Sequence, residues 1–135
     1  MTNQDRADRL MGEAAEILRG LPGSLERQSW NLAIRRAQEV VELVLKAMLA
    51  EMGVDYPKIH DVATHFSNVV RTRGLDVEES MLTWLEATSG KLAARRGPAF
   101  YFEAEYGEAE AREAISDAQQ VMAFGTEFLK RLRGR

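Results

Sequence analysis

Apolar residues recur at three- and four-residue steps along almost the whole chain, the spacing that lines them up on one stripe of an α-helix. Ala7, Leu10, Met11, Ala14, Ile17, Leu18 and Leu21 hold this period in the first segment. Leu21-Pro22-Gly23 predicts its end, with Ser24 as the N-cap of the next helix. That second helix is the clearest, because Trp30, Ala33, Ile34, Ala37, Val40, Val41, Val44, Leu45, Met48, Leu49 and Met52 keep the stripe for roughly six turns. Gly53 is its predicted C-cap and Pro57 blocks continuation. A third helix is predicted to begin near His60, with Ile59, Val62, Ala63, Phe66, Val69 and Val70 inward and Gly74 at its end. Asp76 and Glu79 have the spacing of a capping box for a fourth helix through Met81, Leu82, Leu85 and Leu92, which Gly97-Pro98 is predicted to break. The last helix runs from about Glu108 to Leu132. Its acidic front (Glu108, Glu110, Glu113) and basic back (Lys130, Arg131, Arg133) both suit the helix dipole.

No segment alternates long enough for a strand, and no repeat of solenoid length appears. Short connections between long amphipathic helices imply antiparallel neighbours, so the predicted fold is all-α, an up-and-down antiparallel bundle of four to five helices. At 135 residues the chain fits one domain spanning 1–135. There are no cysteines, which removes disulfides, thiolate nucleophiles and cysteine zinc sites and fits a cytoplasmic setting. No apolar run approaches the roughly 18 residues of a membrane span, and the polar start MTNQDRADRL is unlike a signal peptide. A net charge of −3 argues against a strongly basic nucleic-acid binder while leaving room for a local basic patch.

Few residues are candidates for chemistry. His60 and His65 lie about 140° apart if helical, so they do not share a face as an i, i+4 metal pair would. His60-Asp61 is read as a helix start, with Asp61 in the first turn meeting free amides. No metal site and no cofactor are expected. There is no glycine loop for phosphate and no nucleophile elbow. The carboxylates of the last helix, including Glu113 and Asp117, are read as a solvated face, and the methionines as core filling. Arg71 and Arg73 close the third helix. Arg95 and Arg96 close the fourth, where a cation is favourable anyway. The stretch after them, GPAFYFEAEY at 97–106, is less ordinary. Tyr101 and Tyr106 stand on a connection between helices, where binding residues are concentrated.

The run WNLAIRRAQEVVELVLKAMLAEMG at 30–53, followed by YPKIHDV at 56–62, resembles the HEPN family (higher eukaryotes and prokaryotes nucleotide-binding domains). The similarity continues in RRGPAFY at 95–101 and EAREAISDAQQVMAF at 110–124. The resemblance implies a small, self-associating all-α bundle, with a homodimer or higher homo-oligomer expected. It also implies a nucleotide or RNA ligand and, as a protein partner, a minimal nucleotidyltransferase in a toxin–antitoxin-like pair. Active members are metal-independent RNA endonucleases that use Arg, four to six residues, then His. In this chain Arg96 is followed five places later by Tyr101 instead, and neither His60 nor His65 follows an Arg at that spacing. A tyrosine hydroxyl titrates near pH 10 when unperturbed and is a poor base at neutral pH.

The expected function is therefore a noncatalytic HEPN-type module that binds through 95–106. Arg95 and Arg96 would hold phosphate, and Tyr101 would stack on a base; Tyr106 and His60 are further ligand candidates, and no residue is assigned a catalytic role. The alternative is a divergent RNA endonuclease in which Tyr101 or His60 replaces the missing histidine. A third reading is a structural oligomerisation protein.

Overall fold

The structure, a computed structural model, describes residues 1–134. It contains five helices: α1 (Asn3–Glu26), α2 (Trp30–Glu51), α3 (Ala63–Arg73), α4 (Glu79–Phe100) and α5 (Glu108–Leu132), with no strand among the described residues.

Side-chain contacts fix how the helices run. Arg133, which caps α5, donates to Asp8 near the start of α1 at 2.9 Å and to Glu51 at the end of α2 at 2.6 Å. Asn31 at the start of α2 bonds to the connection that leads into α5, and also to the end of α4. Thus α1 and α2 are antiparallel, α4 opposes α2, and α5 runs parallel to α2. The four long helices alternate up and down, and short α3 lies within the connection from α2 to α4. α2 packs on all four others, which explains why its buried residues exceed a single stripe: Ala33, Ile34, Ala37, Val40, Val41, Val44, Leu45 and Leu49 all lie in the core. Where α5 crosses α2 the fit leaves no room for a side chain. A Cβ on Gly125 would sit 2.3 Å from Val44 Cγ1.

Five predicted boundaries are corrected. α1 does not stop at Leu21-Pro22-Gly23; it carries Pro22 inside and continues to Glu26. Leu21 and Ser24 are buried there, so packing outweighs the backbone hydrogen bond that proline forgoes. Ser24 is therefore not the cap of α2. Ser29 holds that position without a side-chain cap bond. Likewise α4 passes through Gly97-Pro98 to Phe100, with Ala99 buried. α3 begins at Ala63 rather than near His60, because the His60 and Asp61 side chains are used by other helices, and Ile59, expected inward, precedes the helix and is exposed. Asp61 Oδ1 still accepts from the Ala63 N–H, at 3.2 Å, but from outside the helix, and it also accepts from the Ser89 hydroxyl at 2.7 Å. The Asp76–Glu79 capping box does not form. Glu79 is taken by the Arg71 guanidinium, at 2.7 Å to Nε.

Two helix ends explain how prolines came to be absorbed. After α1, Ser29 N donates to Ser24 O, and after α4, Glu103 N donates to Pro98 O, both at 2.9 Å. Each is the six-to-one bond of a Schellman ending, which requires a left-handed residue just past the cap. Glycine usually fills that place, yet here it is Gln28 (φ 57°) and Phe102 (φ 53°).

Candidate functional site

The end of α4 and the segment after it are held by a residue of α2. Asn31 is buried, and its amide nitrogen donates to Ala99 O at 3.1 Å and Ala104 O at 2.9 Å, while its oxygen accepts from Tyr106 N at 2.9 Å. All three bonds reach backbone, so Asn31 clamps 99–106 whatever side chains the segment carries. Between the clamp points, Phe100, Tyr101 and Phe102 are 56%, 72% and 68% exposed. The rings of Phe100 and Tyr101 meet edge to face, with centroids 5.0 Å apart. The Arg35 guanidinium lies 4.9 Å from the Phe100 centroid, and that of Arg95 lies 5.5 Å from the centroid of Tyr106. Trp30, Phe102 and Tyr106 wall a cleft of about 350 Å³ beside them.

Arg96 points elsewhere. Its Nη1 donates to Gln38 Oε1 at 2.9 Å, and Glu39 Oε2 lies 3.2 Å from both terminal nitrogens. Gln38 Nε2 donates onward to Glu42 Oε1 at 3.0 Å and His60 O at 3.3 Å. His60 Nδ1 is 2.8 Å from Glu42 Oε1, and Lys46 Nζ donates to Glu42 Oε2 at 2.6 Å. Arg96 and His60 thus line one depression of about 350 Å³, together with Glu13, Arg36, Glu39 and Glu42. Burial favours the neutral Glu42 carboxyl, but the hydrogen bonds from Lys46, Gln38 and His60 outweigh it and hold the group below the ordinary carboxylate value.

Of the five sequence candidates, Arg95, Tyr101 and Tyr106 belong to the aromatic end of the bundle, and Arg96 and His60 belong to the charged depression. Adjacent arginines on α4 therefore serve two surfaces. Tyr101 does not stand in for a histidine in that depression. It faces solvent, and among the described residues no hydrogen bond reaches its hydroxyl. Asn31, Gln38, Glu39 and Glu42 were not singled out from the sequence. The signal for the first two was their polarity at positions of α2 that share the buried stripe with Ile34 and Val41. Among the described residues, no group of three or more His, Asp or Glu is placed to hold a metal ion, and no helix is long and apolar enough to cross a membrane.

The HEPN domain family model matches residues 7–129 of the chain. Neither the curated proteins nor the solved structures contain a match to it.

Proposed function

We propose, since this chain belongs to the HEPN domain family, that residues 1–135 form one noncatalytic module that binds single-stranded RNA or a nucleotide through the aromatic end of the bundle. Exposed Phe100, Tyr101 and Phe102 are large apolar surfaces that water does not favour. Their π-faces, flanked by the guanidiniums of Arg35 and Arg95, suit stacked bases and the adjacent phosphates. The observation that carries the noncatalytic part is the engagement of Arg96: its terminal nitrogens already meet Gln38 and Glu39, and Tyr101, five places on, is exposed away from them.

The test is fluorescence anisotropy with a short labelled single-stranded RNA in the presence of chelator. Stacking of one base on an aromatic ring is worth about 1–3 kcal/mol, so Tyr101→Ala should weaken binding by roughly tenfold and Arg95→Ala by a smaller factor. Equal affinity in wild type and both variants would sink the proposal. The same three aromatics are the surface we assign to self-association or to a minimal nucleotidyltransferase partner. Light scattering of Phe100→Ser against wild type tests the self-association.

A second reading has its own support. His60 faces the depression with its Nδ1 on Glu42 and with Arg96 on the same wall. That is the arrangement of an oriented general base beside a phosphate-holding guanidinium. On this reading the chain cleaves RNA without metal and loses the activity in His60→Ala.

A further inference from the structure

We infer that the cleft between the start of α2 and the 102–106 segment reads a guanine base, with Glu105 as the residue that selects it. Among the described residues only two that are not glycine adopt a positive φ, Gln28 at 57° and Phe102 at 53°, and both line this cleft. One follows α1 and the other follows α4, so the two come together only in the fold. Glycine would take either conformation without strain, at the kind of helix ending that ordinarily carries it. A side chain kept at such a place marks a position where the side chain itself is used. The core does not use them, because Gln28 and Phe102 are both exposed.

The other walls say what enters. Trp30 and Tyr106 add two aromatic surfaces to that of Phe102, and the volume of about 350 Å³ is that of a small-molecule site. Aromatic rings hold a nucleobase by stacking, whichever base it is. Glu105 supplies the choice. Its carboxylate lines the same cleft, and among the described residues no hydrogen bond or ion pair reaches it. A carboxylate only accepts. Guanine is the one RNA base whose Watson–Crick edge carries two adjacent donors, N1–H and the N2 amino group, so it alone meets both carboxylate oxygens at once. Adenine and cytosine set a ring-nitrogen acceptor beside their amino group, and uracil flanks its N3–H with two carbonyls; each puts a lone pair against the carboxylate. The Gln28 amide can donate to the guanine O6 or N7. A guanidinium presents a similar pair of donors, but Arg35 and Arg95 stand over the neighbouring Phe100 and Tyr106 rings and repel a cation. Glu105 also repels the phosphates that those arginines attract, so it acts on which base binds rather than on how tightly RNA binds. The inference deepens the proposed function and rests on its reading of the aromatic end as a base-binding surface.

The experiment is fluorescence anisotropy of the full chain with labelled UUGUU, UUAUU and UUIUU. The last carries inosine, which keeps the O6 and N1–H of guanosine and lacks the N2 amino group. Wild type should bind UUGUU about tenfold more tightly than UUAUU, the scale of one bidentate base contact, with UUIUU between them. Glu105→Ala should bring the three affinities within about twofold of one another. Each comparison is made within one protein, so the general change in RNA affinity that follows the loss of a negative charge cancels. Phe102→Gly relieves the positive φ and should unfold at or above the wild-type temperature, yet bind UUGUU about fivefold more weakly. A wild-type preference under about twofold, a guanine preference that survives Glu105→Ala, or full UUGUU affinity in Phe102→Gly would overturn the inference. So would Glu105-dependent binding of a hexa-arginine peptide in place of any guanine preference, which would assign the cleft to a protein partner's guanidinium. Tyr101-dependent binding of all three RNAs without preference defeats the inference alone. A guanine preference with affinity unchanged in Tyr101→Ala and Arg95→Ala defeats the proposed binding mode alone, and no binding of any RNA by wild type defeats both.

Discussion

Asn31→Leu keeps the size of the side chain and removes its three hydrogen bonds, so it isolates what the clamp contributes. The residue is 7% exposed, and its partners are the carbonyls of Ala99 and Ala104 and the amide of Tyr106. A typical intramolecular hydrogen bond contributes about 1 kcal/mol net, and a buried group left without a partner costs about 1–3 kcal/mol. Three simple losses would give about 3 kcal/mol. Ala104 and Tyr106 lie in a surface segment that can turn to water, which reduces the sum, whereas Ala99 is buried and its carbonyl has less freedom to do so. The expected loss is therefore about 2–3 kcal/mol, a large fraction of the 5–15 kcal/mol that typically holds a domain together. Urea unfolding followed by circular dichroism measures it, and the slope with denaturant should stay unchanged because the folded core is untouched. Hydrogen exchange adds a local readout: the Tyr106 amide should lose protection in the variant while amides in the middle of α2 keep theirs. A stability within 0.5 kcal/mol of wild type, or an unchanged Tyr106 exchange rate, would refute the reasoning. The variant should also weaken RNA binding, since Phe100–Phe102 would no longer be held in one arrangement.

Gly125→Ala should cost about 1–3 kcal/mol, because its new methyl would meet Val44 Cγ1 at 2.3 Å in a well-packed crossing; thermal unfolding reads the loss, and adding Val44→Ala should recover part of it. Glu42 has a folded-state pKa below its ordinary value of 4.5. The stability it contributes is therefore present above pH 4.5 and disappears as pH falls through the lower folded value. Glu42→Gln should accordingly be less stable than wild type at neutral pH, and the two should converge in urea midpoints as pH falls through the lowered folded value.

Most of the fold was legible because the helices are amphipathic and long. α5 starts and ends where its dipole-matched charges place it, and the Trp30–Met52 stripe marks the body and the C-terminal end of α2, although Ser24, its expected cap, lies inside α1. What failed were the stop signals at the two prolines and the start signals at Ser24, His60 and Asp76. Pro22 and Pro98 read as breaks, since proline forgoes one backbone bond, but both helices go on to bury Ser24 and Ala99 and then end on Gln28 and Phe102, which carry no glycine signature. The candidate site was legible in part. Arg95, Tyr101 and Tyr106 came from a local run and do share one surface. The separation of Arg96 from Arg95, and its meeting with His60 through Gln38 and Glu42, depends on contacts between residues some twenty to sixty positions apart. No local pattern encodes such pairings. Asn31 escaped for a related reason: a polar residue on a buried stripe shows that it has a partner but not which one.

The central claim is that this HEPN module binds without cutting, and the most direct test is the integrity of a mixed-sequence RNA after long incubation with the purified chain in chelator, beside His60→Ala and Arg96→Ala prepared identically. Intact RNA in all three reactions is the expected result. Cleavage by the wild-type chain that disappears in either variant would contradict it and make the Glu42–His60 pair the active centre.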